Sequence, residues 1–91
     1  MGSEIANIFV GNLAFAVEDA DLRKLFEAFG IVIGVRVICD RATGYSKGFG
    51  FVEMASAADA AKAMAELNGS ILMGRPMRID KATRSAHTPR N

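Results

Sequence analysis

The residues Lys47-Gly48-Phe49-Gly50-Phe51-Val52-Glu53-Met54 alternate in a way that core building does not require. On a strand, Phe49, Phe51 and Glu53 share one face, while Val52 and Met54 share the other. Two phenylalanines on the same side as a glutamate suggest a surface with a task of its own. A second segment, Ile8-Phe9-Val10-Gly11-Asn12-Leu13, repeats the design, with Ile8, Val10 and Leu13 apolar on one side and Phe9 on the other. If the two segments are neighbouring strands, three phenyl rings share one open face beside the cationic Lys47. Such rings stack on the flat faces of unpaired bases, and the nearby ammonium attracts the phosphates that join them.

The elements that must position these rings follow from hydrophobic period. Leu22, Leu25, Phe26 and Phe29 recur at i, i+3, i+4 and i+7, which predicts a helix started by Glu18 or Asp19 and terminated by Gly30. Ala57, Ala60, Ala61, Met64 and Leu67 predict a second helix, capped by Ser56 with Asp59 three residues on, and ended by Asn68-Gly69. Val35 and Val37 alternate with Arg36 and Ile38 in one further strand, and Met77 and Ile79 alternate with Arg78 and Asp80 in another. Residues Asp40 to Ser46 form a hairpin-like connection. The order is strand, helix, strand, strand, helix, strand. Right-handed crossovers then give an α+β, ferredoxin-like βαββαβ fold, a four-stranded antiparallel sheet with both helices on one face. The first and third strands lie adjacent in the middle, and the face bearing Phe9, Phe49 and Phe51 is uncovered.

Each candidate residue also has a plainer reading. The three rings would be core if another helix, the tail or a partner chain covered them. Lys47 alone would be a solvated charge, and Arg36 and Arg78 could pair with Glu53 or Asp80 across the sheet, a contact worth little when exposed. Cys39 is expected to pack inward near the end of its strand. Met64 and Met77 read as core filler. His87 has no second ligand, so no metal site is expected. Gly48-Phe49-Gly50 begins like a dinucleotide fingerprint, but Glu53 stands where the third glycine is required and no helix follows. With the single histidine outside the periodic region, no histidine-based nucleophilic constellation can be built on the domain. The sequence therefore argues for binding, with no cofactor, rather than for an enzyme.

Composition is consistent with this and adds a polarity. The 91 residues, 51% hydrophobic and 23% charged, make one small domain with a formal net charge of +1. Residues 1–30 hold Arg23 and Lys24 against Glu4, Glu18, Asp19, Asp21 and Glu27, a net of −3. Residues 70–91 hold Arg75, Arg78, Lys81, Arg84 and Arg90 against Asp80, a net of +4. Such asymmetry can orient a molecule toward a polyanion without a large total charge. No apolar run approaches the roughly 18 residues of a membrane span, and the amino end carries no basic and then hydrophobic leader. Met1-Gly2 opens like a myristoylation signal, yet Ala6 stands where Ser or Thr is needed. One cysteine excludes an internal disulfide and favours a reducing interior; with no basic import cluster visible the cytoplasm is expected, with the nucleus as the alternative in a eukaryote. Residues 1–4 are expected to be an extension, 5–83 the domain and 84–91 a flexible basic tail, the whole acting as a monomer.

Over residues 5 to 83 the chain resembles the RNA-recognition motif family. Lys47 to Met54 is similar to that family's octapeptide and Ile8 to Leu13 to its hexapeptide, and Leu67-Asn68-Gly69, Gly74-Arg75 and Arg78-Ile79-Asp80 fit its spacing. The resemblance extends to short single-domain bacterial and cyanobacterial RNA-binding proteins and to the domain of cold-inducible and glycine-rich RNA-binding proteins. It implies single-stranded RNA as partner, with single-stranded DNA as a second substrate, and a role in post-transcriptional regulation or RNA chaperoning. By resemblance, Phe9 and Phe51 each stack under one base, Phe49 packs against sugars and Lys47 meets a phosphate. By the same resemblance Arg36, Ile38, Arg78 and Asp80 lie on the ring face and touch base edges or backbone, Glu53 shares that face as a further RNA-binding candidate, and Lys81 and Ala82 contact a base through the main chain. Asn7 stands where relatives often carry lysine, and Met54 replaces an aromatic at a position that points into the core. A protein-interaction module of the same fold is the alternative, although such domains usually lose or cover some of these aromatics.

Overall fold

Alternation along the central strands separates the molecule into a sealed side and an open one. Ile8, Val10, Val52 and Met54 are fully buried, with 0% of their surface exposed, while Phe9, Phe49, Phe51 and Glu53 between them keep part of theirs. The computed structural model describes residues 5–82, so the expected extension at 1–4 and tail at 84–91 lie outside the described residues. Its elements are β1 (Ala6–Gly11), α1 (Asp19–Glu27), β2 (Val32–Cys39), β3 (Ser46–Met54), α2 (Ala57–Leu67), β4 (Ile71–Leu72), β5 (Arg75–Pro76) and β6 (Arg78–Lys81). Strands β2, β3, β1 and β6 form one antiparallel sheet in that order, with β1 and β3 central. This is the expected α+β arrangement, with both helices packed on the face that carries Ile8, Val10, Val52 and Met54.

Both helices start where their side chains can satisfy free backbone donors. At α1 the Glu18 amide donates to Asp21 Oδ2 at 2.8 Å, which settles Glu18 as the cap. At α2 the Asp59 amide donates to Ser56 Oγ at 3.3 Å. Leu22 and Phe26 of α1 are buried, with Leu25 and Phe29 packed beside them. In α2 the buried set is Ala60, Ala63 and Leu67, with Met64 partly buried, whereas Ala57 and Ala61 face solvent. The expected phase of this helix was therefore displaced at its start. A run of alanines supplies little contrast in size or polarity, and the true stripe begins at Ala60.

The two glycines expected to end the helices behave differently. Gly69 is left-handed, with φ 88°, and follows the Asn68 cap. Gly30 takes no left-handed conformation; α1 already ends at Glu27, and a Cβ at Gly30 would collide with the Asp59 side chain of α2. Its smallness lets the α1–β2 turn pass the first turn of α2. A short hairpin of β4 and β5 has no counterpart in the sequence reading. Its two central residues, Met73 and Gly74, both have positive φ, 51° and 87°, the turn that suits paired strands. Pro76 sits on this two-stranded ribbon, where a missing amide costs no central ladder bond.

Strand β2 is a sheet edge, and α1 blunts it. Asp19 Oδ1 accepts from the Val37 amide at 2.9 Å, and Arg23 donates to the Val32 carbonyl at 3.3 Å. These side chains occupy backbone groups that would otherwise invite another strand. The β2–β3 connection is held by Asp40, whose Oδ1 accepts from the amides of Ala42 and Thr43 at 2.8 and 3.2 Å, with Gly44 left-handed at φ 80°. Cys39 corrects an expectation: it is exposed, its thiol directed to the Val37 carbonyl at 3.8 Å. The pairing shifts register between Val37 and Cys39, so the alternation of the strand is interrupted just before Cys39. Among the described residues, no helix is long and apolar enough to cross a membrane.

Candidate nucleic-acid interface

Register places four candidate residues in a single row across the sheet. Arg36 pairs with Phe51, Phe51 with Phe9, and Phe9 with Asp80, so guanidinium, ring, ring and carboxylate follow one another from edge to edge. Neighbouring strands lie about 4.8 Å apart, so the row spans roughly 14 Å. Paired residues share a face, and the buried neighbours of each, such as Val52 and Ile79, lie on the opposite side. A second row holds Glu53 opposite Asn7, with Gly34 beyond Glu53.

Phe49 completes the aromatic group. Ring centroids are 5.9 Å apart for Phe9 and Phe49, 5.9 Å for Phe9 and Phe51, and 6.1 Å for Phe49 and Phe51. Phe51 stands edge-on to the other two, at 64° to Phe9 and 86° to Phe49, and Phe9 and Phe49 are tilted by 31°. These separations and angles are those of favourable edge contacts. Each of the three residues is half-buried, because the rings lean on one another rather than standing clear in water.

Two glycines make this arrangement fit, and neither was recognised as part of the site. A Cβ on Gly11 would lie 2.8 Å from Phe9 Cε2 and 2.9 Å from Cζ, so the Phe9 ring occupies the space that a side chain would take. A Cβ on Gly50, between the two rings of β3, would lie 2.6 Å from the Arg36 carbonyl oxygen. The absence of a side chain there allows β2 to approach β3 closely. The available signal was the position of Gly11 two residues after an aromatic on one strand face, and of Gly50 between two aromatics.

Other candidates occupy the periphery. Arg78 is exposed and pairs with Gly11, one step along from the main row. Lys47 is exposed at a bulge where β3 has three residues, Lys47 to Phe49, opposite Ile38 alone, and Gly48 is left-handed with φ 87°. That irregularity breaks the simple two-residue count from Phe49 back to Lys47. Ile38 is half-buried at the same bulge. Lys81 pairs with the core residue Ile8, so its side chain starts from the helix side of the sheet and only its main chain adjoins the rings. The Ala82 amide already donates to the Asn7 carbonyl at 3.0 Å, so that donor belongs to the sheet. The cross-sheet ion pairs considered for Arg36 and Arg78 do not form. Among the described residues the one ion pair is Arg23 with Glu27, at 3.5 Å on α1. Arg36, Arg78, Glu53 and Asp80 therefore have no ion-pair partner among the described residues.

Beside the sheet, Asn12 takes a left-handed conformation at φ 58° and ties β1 to the short hairpin. Its amide donates to the Pro76 carbonyl at 2.7 Å, and its Oδ1 accepts from Arg75 at 2.5 Å. Arg75 is thereby committed to structure, while Arg36, Lys47 and Arg78 are exposed cations near the rings. Among the described residues, no group of three or more His, Cys, Asp or Glu is placed to hold a metal ion.

The family model described as RNA recognition motif matches residues 8–78. The "31 kDa ribonucleoprotein, chloroplastic" of Nicotiana sylvestris is 48% identical over 75 residues, 82% of this chain and 24% of that protein. The "Putative RNA-binding protein RbpE" of Nostoc is 45% identical over 76 residues, 84% of this chain and 77% of that protein. Among solved structures, the Sxl-lethal protein/RNA complex superposes with a TM-score of 0.81 at 32% identity, covering 87% of this chain and 47% of that one. The chain thus spans about a quarter of the length of the Nicotiana relative and about three quarters of the Nostoc one. With its two central strands, its ring face and most of its length matched, the chain belongs to the RNA recognition motif family.

Proposed function

We propose that this domain binds single-stranded RNA by stacking bases on Phe9 and Phe51, with Phe49 against the sugars between them. The observation that carries this is the 64° angle between the Phe9 and Phe51 rings, whose centroids are 5.9 Å apart. Bases lying flat on those two rings must be splayed from one another. A duplex holds its bases parallel and about 3.4 Å apart, so it cannot supply that geometry. The similarity to a protein/RNA complex and to a protein named as RNA-binding supports the same partner.

Two stacked bases at ~1–3 kcal/mol each, aided by Arg36, Arg78 and Lys47 and opposed by ordering costs, give micromolar affinity over about two to four nucleotides. Stacking does not need the 2′-hydroxyl, so single-stranded DNA is a second substrate. The role is one of binding, with no chemical step and no cofactor, exercised by a monomer in regulation or chaperoning of transcripts. A chloroplastic relative and a Nostoc relative show that location varies across the family, while the single cysteine supports a reducing compartment such as the cytoplasm.

The test is anisotropy titration with a short single-stranded RNA and with the same sequence as a duplex, for the unaltered protein and for Phe51→Ala. The single strand should bind and the duplex should not, and Phe51→Ala should weaken binding by ~1–3 kcal/mol while remaining folded. Unchanged affinity in a folded Phe51→Ala variant would overturn the stacking reading. Amide shifts confined to the helical face, produced by peptide and not by RNA, would favour a protein-interaction module instead.

A further inference from the structure

Asp80 is out of place on a surface that attracts phosphates. It pairs with Phe9 at the end of the central row, is exposed and, among the described residues, has no ion-pair partner. A guanidinium such as Arg36 at the other end donates to phosphate and base acceptors alike, so it improves affinity without choosing strongly. A carboxylate repels phosphate. What it can accept from a nucleotide is an N–H or O–H donor on a base or a sugar.

Resting on the stacking role proposed above, we propose that Asp80 selects the base lying over Phe9 and favours guanine. The Watson–Crick edge of guanine presents N1–H and an N2 amino group side by side, two donors that match the two oxygens of one carboxylate. Adenine and cytosine offer a single amino group there. Uracil offers one N–H between two carbonyl oxygens, which face a carboxylate unfavourably. Asp80 lies across the ladder from Phe9, and paired side chains sit about 5 Å apart at Cβ, so the edge of a base on that ring comes within its reach. Phe51, at the other side of Phe9, has a guanidinium in the equivalent place, so the two stacked bases meet opposite hydrogen-bonding chemistry.

The experiment uses the full chain and uridine hexamers carrying at one central position guanosine, inosine, 2′-deoxyguanosine or uridine. Guanosine should bind about tenfold more tightly than uridine, and inosine, which keeps N1–H but lacks the amino group, should fall between. The 2′-deoxyguanosine hexamer should match guanosine. In Asp80→Ala the preference for guanosine over uridine should collapse. Asp80→Asn, which preserves shape but exchanges one acceptor for a donor, should also lose most of the preference. Both variants alter an exposed side chain, and an amide spectrum verifies their fold. The proposal is overturned if the unaltered protein does not prefer guanosine, if the preference survives in Asp80→Ala, or if it disappears when the 2′-hydroxyl alone is removed. Failure of the stacking role reads differently: Phe9→Ala would then bind the all-uridine hexamer as well as the unaltered protein does.

Discussion

The two faces of the central sheet are built by the same strands and obey opposite rules. On the helix side, Val52 and Met54 of β3 and Ile8 and Val10 of β1 are completely buried against Leu22 and Phe26. On the other side, Phe51 and Phe9, one residue away in each strand, remain half-buried and touch mainly one another. A phenyl ring in the first setting is removed from water by the fold itself. In the second, under the stacking role proposed above, part of that burial is deferred until a ligand arrives. Similar apolar side chains thus stabilise the folded state on one face and the bound state on the other.

The largest expected effect marks the sealed face. Phe26 is among the largest fully buried side chains, and Phe26→Ala should lower stability by ~3–5 kcal/mol, a large share of what a domain of this size possesses. Phe9→Ala, measured beside it by thermal or denaturant unfolding, should cost much less, because its ring is half-exposed. If Phe9→Ala destabilised the fold as severely as Phe26→Ala, the ring face would be a second core and the distinction between the faces would fail.

Gly11→Ala probes the boundary between fold and site. The new methyl would meet the outer carbons of the Phe9 ring, atoms that can swing away without moving backbone. Although Gly11 is buried, stability should therefore change by less than ~1 kcal/mol, because the atoms met are the far end of a side chain that can give way. RNA affinity should fall by about 1 kcal/mol, part of the value of one stacked base, because the ring no longer lies where the base needs it. Gly50→Ala is the contrasting variant: its methyl would strike the Arg36 carbonyl, a backbone atom that cannot swing, and stability should fall first. A Gly11→Ala protein with full affinity would mean that the Phe9 ring position is immaterial.

What the sequence reveals follows the same division. Where polar and apolar residues alternate strictly, as in Phe49 to Met54, the strand, its two faces and its partner on β1 are all legible. The Phe9, Phe51, Arg36 and Asp80 row is implied once register is known, but register depends on bulges that leave no periodic mark. The bulge around Gly48, which is the register shift between Val37 and Cys39, is of that kind, and Cys39 just past it is exposed rather than packed. In α2, alanines on every side hide the buried stripe. Gly30 and Gly11 look alike as letters, yet one makes room for Asp59 and the other for a ring, a difference set by residues far away in sequence. Met73-Gly74 escapes notice because methionine is an uncommon choice for a left-handed turn position.

The smallest effect concerns charge at the rim of the open face. Neutralising about three phosphates on a single strand gives a slope near −2 for log affinity against log salt, at ~0.7 per contact. Lys47, exposed at the β3 bulge, stands with Arg36 and Arg78 as a cation near the rings, whereas Arg75 is held by Asn12. Lys47→Gln should shift the slope by ~0.7 toward zero and weaken binding by less than ~1 kcal/mol at moderate salt, with no change in base preference. The same substitution should leave thermal stability unaltered, because no ion pair among the described residues depends on it. Titrations at four or five salt concentrations decide the matter. An unchanged slope would place Lys47 off the phosphate path and leave Arg36 and Arg78 to carry it, which would tilt the bound strand toward the two outer edges of the sheet.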